Sequence, residues 1–324
     1  MTSSIVRFLP ARCLALGLAL TLVFGGETIR AQSDIVFMTA DDQSHDSHLH
    51  RFDAGVETFA VNTGGSDAFL GVTILNGEVL VADFLEEVIE RFSPDGTYLG
   101  PFASSTLATF LESDSNQNVY TTPYSLGPIF GINYATRFNS AGVVTGTFSH
   151  PSITQYTGID ADANGNVYVV GGGPSSLYKF APDGTFLNSI SVAASALDVS
   201  IDEANNRLYM AHEFGAPGIR IYDISGAIPV LAGAIATPAS SNILGIHYAA
   251  ESGNILATDH GTGSGDPRGL EYSPIGTLIA EYRPTNGRMA LDITTFSTIP
   301  EPSSTGLVLL AIVGLGLRRN ARRR

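Results

Sequence analysis

Residues 160–190 read "DADANGNVYVVGGGPSSLYKFAPDGTFLNSI", and this stretch decides the fold. Asn164-Gly165-Asn166 is a turn signal that launches the β-branched and aromatic run Val167 to Val170. A second run, "LYKFAP" (177–182), follows after a short gap. Pro182-Asp183-Gly184 then presets a tight turn whose glycine takes positive φ, and "TFLNSI" closes the unit.

The unit recurs. The first run has counterparts in "GEVLVAD" (77–83), "QNVYTT" (117–122), "NRLYMA" (206–211) and "GNILAT" (253–258), with "DIVFMTAD" (34–41) as a looser first copy. Aligning Met38, Leu80, Tyr120, Tyr168, Tyr209 and Leu256 gives steps of 42, 40, 48, 41 and 47 residues. The second run recurs as "HLHRFD" (48–53), "VIERFS" (88–93), "YATRFN" (134–139), "IRIYDI" (219–224) and "GLEYSP" (269–274). Further turns sit at Pro94-Asp95-Gly96, Ser140-Ala141-Gly142 and Pro274-Ile275-Gly276.

Short strands at a period of roughly 40–50 residues are the mark of a propeller, and six copies predict six blades. The first copy lacks an inner strand before Ile35, whereas "MALDITTF" (289–296) is a spare inner strand at the other end. That strand is expected to pair with the first copy and lock the ring. No helical block interrupts the run, so residues 33–299 read as one all-β domain, a six-bladed β-propeller closed by a C-terminal strand.

The two ends read as targeting segments. Residues 1–31 have a sparse basic start (Arg7, Arg12), an apolar run from Cys13 to Gly25 and a tolerable cleavage site at Ile29-Arg30-Ala31. The run is short for a membrane helix, so a secretory signal peptide is expected. Cys13 is the one cysteine, which leaves the exported part without disulfide or thiol chemistry. Residues 300–324 carry Pro300-Glu301-Pro302, a small apolar stretch from Gly306 to Leu317, then Arg318, Arg319 and Arg322 to Arg324. This predicts a short hydrophobic transmembrane helix whose arginines stay cytoplasmic, so that the large domain faces outward, as the N-terminal signal also requires.

That tail resembles the PEP-CTERM sorting signal of Gram-negative bacteria. The resemblance implies recognition by an exosortase-type protease, transient anchoring in the inner membrane, and delivery to the outer surface or extracellular matrix. The Gly-Asn and Pro-Asp-Gly pattern resembles NHL-type propellers and is similar to the six-bladed family of senescence marker protein and gluconolactonase. It lies in structural residues, so it implies a fold that hosts binders, hydrolases and lactonases alike.

Between Gln32 and Ile299 there are 9 Lys and Arg against 29 Asp and Glu, a net charge of −20. Such a domain repels nucleic acid and anionic lipid and attracts cations. Three residues past each anchor sit Asp41, Asp83, Pro123, Gly171, His212 and Asp259. Asp41, Asp83, His212 and Asp259 are therefore expected at one channel mouth, where oxygen ligands suit Ca²⁺ or another divalent cation; the alternative is that acids at strand ends are solvated or cap turns, and Pro123 and Gly171 leave gaps in the ring. The Glu, Asn and Asp metal set that the gluconolactonase resemblance implies finds no clear positions here.

"DADANGN" matches the first half of an EF-hand loop but has Gly171 where the bidentate Glu belongs, so it reads as a hairpin turn. "DDQSHDSHLH" (41–50) gathers His45, His48 and His50 and reads as an exposed polar loop; "HGTGSGDPRG" (260–269) lacks the lysine of a phosphate loop. No nucleophile elbow or Ser-His-Asp spacing is present. The expected function is an exported binding or structural module that meets exopolysaccharide or surface proteins; a metal-dependent hydrolase or lactonase at the channel mouth is the alternative.

Overall fold

The structure is a computed structural model and describes residues 35–41, 46–64, 67–123, 133–171, 175–214, 217–239, 241–260, 266–287 and 289–296. The signal-peptide, Pro-Glu-Pro and terminal-arginine segments lie outside the described residues, as does His45. Among the described residues no helix is long and apolar enough to cross a membrane.

All regular structure described is β. The chain begins with β1 (Ile35–Asp41), β2 (His48–Asp53) and β3 (Val56–Val61). The second blade holds β4 (Phe69–Leu75), β5 (Glu78–Asp83), β6 (Val88–Phe92) and β7 (Tyr98–Ser104). The third holds β8 (Ala108–Ser113), β9 (Val119–Pro123), β10 (Ala135–Phe138) and β11 (Val144–Phe148). The fourth holds β12 (Tyr156–Ala161), β13 (Val167–Gly171), β14 (Ser176–Phe180) and β15 (Phe186–Ser191). The fifth holds β16 (Ala196–Asp202), β17 (Arg207–His212), β18 (Ile219–Asp223) and β19 (Val230–Ile235). The sixth holds β20 (Ile243–Ala249), β21 (Asn254–Asp259), β22 (Arg268–Tyr272) and β23 (Leu278–Tyr282), and β24 (Met289–Thr295) comes last.

Each blade is a four-stranded antiparallel sheet, and the first is ordered β24-β1-β2-β3. The spare C-terminal strand thus supplies the missing inner strand, with Val36 paired to Thr295 and Met38 to Ile293. The inner strands β4, β8, β12, β16, β20 and β24 pack in sequence, and β24 packs on β4, which closes the ring.

The core lies between blades. Tyr120 and Phe148 of the third blade pack with Tyr156, Val167 and Phe180 of the fourth; Tyr168 and Leu177 of the fourth pack with Val199, Met210 and Tyr222 of the fifth. Inner and second strands are buried on both faces, while the outer strands, such as Phe186–Ser191, alternate with solvent.

Turn chemistry sets the blade outline. Asn76 (φ 52°) and Gly77 (φ 79°) form a two-residue hairpin that requires positive φ twice. In the fourth blade Asp162 Oδ1 accepts from the Asn164 and Asn166 amides at 3.0 Å each, and Oδ2 accepts from Asn166 Nδ2 and the Tyr168 hydroxyl at 2.8 and 3.3 Å. Asp114, with Asn116, Asn118 and Tyr120, repeats the arrangement in the third blade. The "DADANGN" segment is therefore a blade hairpin, and its second aspartate ties the turn to a buried tyrosine. Asp162→Ala strands these donors and is expected to cost about 3 kcal/mol, checked by urea unfolding. An unchanged midpoint would mean the network is incidental.

The Pro-Asp-Gly turns lock blade to blade. Arg137 Nη1 donates to the Pro182 carbonyl of the next blade at 3.0 Å, and Arg51 does the same to Pro94 at 2.6 Å. Gly184, at φ 87°, backs onto the Thr147 carbonyl of the preceding blade, where a Cβ would approach to 2.8 Å.

Candidate functional site

The inner strands carry the polar residues that face the channel. Leu80, Tyr120, Tyr168, Tyr209 and Leu256 on the second strands pair with Thr73, Glu112, Asp160, Ser200 and His247. In the first blade the strict equivalent pair is Phe37 with Thr294. Two residues earlier on the same strands stand Gly71, Phe110, Gly158, Asp198, Gly245 and Asp292. Each inner strand also has a register shift near its start, a local bend that re-aims side chains.

The first of these two rings lines a cavity of about 1050 Å³ that opens at the inner-strand hairpins. Asp114, Asp202, Glu203 and Glu251 add carboxylates nearer the mouth, and Ser113, Ser115 and Thr295 add hydroxyls. Among the described residues no lysine or arginine lines it.

Four buried carboxyls stand at the channel wall, and three of them act as inter-blade clamps. Asp160 Oδ2 accepts from the Ile201 amide at 2.7 Å, Asp198 Oδ2 from Ile246 at 2.9 Å and Asp292 Oδ2 from Val72 at 2.8 Å, each on the following blade. Glu112, 6 % exposed, makes no such clamp; its Oε1 lies 3.9 Å from His247 Nδ1. Burial pushes all four well above the ordinary carboxylate range, and their mutual repulsion adds to it: Asp198 acts on Glu112, Glu112 on Asp160, Asp292 on Asp198 and Glu112 on Asp292. Burial lowers His247 to about 4, so its ring is neutral near pH 7.

Asp83, His212 and Asp259 lie at the far ends of the second strands, paired to Phe69, Ala196 and Ile243 at the starts of inner strands. This is the face opposite the cavity. Ala40 holds the position equivalent to Asp83, which puts Asp41 one residue further out, because β1 is apolar on both faces and its alternation gives no register. Each side chain works within its own blade. Asp83 Oδ1 accepts from the Ala68, Leu85 and Glu86 amides at 3.1–3.3 Å, and burial raises the carboxyl to about 6. Asp259 accepts from Ser241 Oγ and the Asn242 amide at 2.9 Å each and forms an ion pair with Arg268 at 3.1 Å. His212 Nδ1 bonds the Ala194 carbonyl at 3.2 Å. These contacts pin the loop that enters each inner strand. Among the described residues no three His, Cys, Asp or Glu stand together as the ligands of a metal ion would.

The histidine-rich segment divides. His50 is buried against Glu57 Oε1 at 2.7 Å, so it is part of the blade rather than of an exposed loop, while His48 stays near the surface beside the Asp46 carbonyl.

No protein-family model matches the chain, and no curated protein matches it. Solved structures do. One is a protein of unknown function from Bacteroides caccae, 13% identical, aligned over 81% of this chain and 98% of its own, with a TM-score of 0.63. Another is in a nidogen/laminin complex, 12% identical over 81% and 98% of the two chains, TM-score 0.59. A third is a catalytically inactive virginiamycin B lyase from Staphylococcus aureus, solved with quinupristin, 15% identical over 70% and 73%, TM-score 0.50. What is shared is the fold. The neighbours include a lyase and proteins of unknown function, so the fold leaves binding and catalysis both open to it.

Proposed function

We propose that this chain is an exported binding module, sorted to the cell surface or extracellular matrix by its Pro300-Glu301-Pro302 tail, and that its ligand enters the cavity ringed by Thr73, Glu112, Asp160, Ser200, His247 and Thr294. The observation that carries the reading is the lining: an open, acidic and hydroxyl-rich chamber of about 1050 Å³, large enough for a glycan segment or a small polar ligand. The terminal Arg318 and Arg319 cluster and the N-terminal apolar run support export and exosortase-type processing.

A second reading, an enzyme of hydrolase or lactonase type, is favoured by one pair. Burial holds the Glu112 carboxyl well above the ordinary carboxylate range and lowers His247 beside it, which suits a proton donor and a proton acceptor facing one chamber.

Ala204 and Ala250 are exposed and line the mouth. Replacing both by tryptophan is expected to lower binding of the purified protein to extracellular matrix from its producing cells by roughly tenfold or more, with little change in Tm. Unchanged binding would move the ligand site off the cavity. Sugar or acid released from the matrix by the wild type, and not by the double variant, would favour the enzyme reading.

A further inference from the structure

We propose that the inner end of the cavity, between Glu112 and His247, receives a primary ammonium group carried on a hydroxylated scaffold of amino-sugar type. The inference rests on the cavity being the ligand site. Glu112 is 6 % exposed, and the hydrogen bond it accepts comes from the Ser113 amide, so no side chain among the described residues neutralises it. His247 Nδ1, 3.9 Å away, is itself buried without a partner. A buried imidazole nitrogen left unsatisfied beside a buried carboxyl that no side chain neutralises is costly unless something fills the gap. A nitrogen about 2.9 Å from each would span it.

The imidazole has the means to accept. Its Nε2 lies 3.3 Å from the Thr295 hydroxyl and 3.5 Å from that of Thr294. With the ring proton on Nε2 and donated there, Nδ1 presents a lone pair towards Glu112. An ammonium then donates to both, and the Ser200 and Thr294 level offers hydroxyls to a scaffold's own hydroxyls.

Charge favours a cation over a neutral sugar. Facing Glu112 are Asp160 from β12, Asp198 from β16, His247 from β20 and Asp292 from β24, while β4 contributes Thr73. No lysine or arginine among the described residues lines the chamber to neutralise this group. A cation seated there lowers the proton affinity of Glu112 and its neighbours, so binding releases protons at mildly acidic pH.

The test is calorimetric titration of the intact protein at pH 6, in two buffers of different ionisation enthalpy, with a β-1,4 glucosamine tetrasaccharide and with its fully N-acetylated counterpart. The glucosamine form is expected to bind roughly tenfold tighter or more and to release protons, and Glu112→Gln is expected to remove both effects. Glu86→Gln, exposed on the pole opposite the cavity, should change affinity by only about twofold. Glu112→Asp, which keeps the charge but shortens its reach, should fall between wild type and Glu112→Gln, and melting curves verify that each variant is folded. Equal affinity for the two sugars, or binding indifferent to Glu112→Gln, overturns the ammonium site. If the N-acetylated form binds and the tryptophan double variant blocks it, the cavity reading stands and this inference alone fails. The inference also fails alone if neither sugar binds while the double variant still abolishes matrix binding. If neither sugar binds and the double variant leaves matrix binding intact, both fail.

Discussion

Gly158→Ala is expected to lower the melting temperature by roughly 6–12 °C, corresponding to about 3 kcal/mol in a domain of this size. Gly158 sits on β12 where the Asp198 carboxyl of the next blade crosses the channel wall. A Cβ there would lie 2.5 Å from Asp198 Oδ1 and 2.8 Å from its carbonyl carbon. The side chain has somewhere to swing only by giving up its bond to the Ile246 amide, and the backbone has nowhere to go. Gly245 makes the same allowance two blades on, with its imagined Cβ 2.6 Å from Asp292 Oδ1. Gly226, whose nearest neighbour would be 3.7 Å away, is the control and should change stability by less than about 0.5 kcal/mol. Scanning calorimetry reads the difference. Equal melting of the Gly158 and Gly226 variants would show that the inner strands slide apart more freely than their clamps imply.

Asp198→Asn combined with Asp292→Asn is expected to stabilise the protein at pH 8 and to matter little at pH 5. Both carboxyls are raised well above their ordinary value by burial, and each is repelled by the other or by Glu112. A folded state that holds a proton the unfolded chain has lost is favoured by acid. The contribution is intact below the unfolded carboxylate range and is lost as pH rises through the folded value. Asp83, at about 6, loses its share between about 4 and 6. His247, lowered to about 4, works the other way: its contribution is complete above about 6.5 and is lost as pH falls towards 4. Above pH 6.5 the carboxyls therefore set the trend, and wild-type Tm should fall from there to pH 9. Asparagine keeps the acceptor for Ile246 and Val72, gives up the Asp292 Oδ1 acceptor of the Ile293 amide, and removes the buried charge, whose uncompensated cost of the order of several kcal/mol per ion exceeds that of the lost bond. Melting curves of wild type and double variant that run parallel from pH 5 to 9 would count against a protonated cluster.

The propeller is legible in the sequence because its outer three strands announce themselves. Asn-Gly and Pro-Asp-Gly turns need particular backbone angles, and Gly96, Gly184 and Gly276 adopt them at φ 82–87°. The closing strand is legible too, since "MALDITTF" has no other blade to join. The inner strands hide. The connections that enter them vary in length and carry no fixed turn residues, and their channel positions hold Thr, Glu, Asp, Ser, His and Thr, with no residue type marking the ring. Register is the only thing these six have in common, and register is visible once the strands are paired. The acids at the second-strand ends, Asp83 and Asp259, are far more conspicuous. Their visibility comes from a structural duty: a strand end that must hold an incoming loop needs an acceptor for its amides.

The pairing of Val36 with Thr295 also fixes which way the molecule points. Ile35 and Phe296 are joined by a backbone bond of 3.1 Å, and Thr295 and Phe296 line the cavity mouth. Both ends of the domain therefore leave from the same pole. A protein moored by its C-terminal segment would stand with that pole turned towards its mooring and the Asp83, His212 and Asp259 pole turned away. Cutting the mooring would let the molecule turn over, so release would change what the chamber faces as well as where the protein goes.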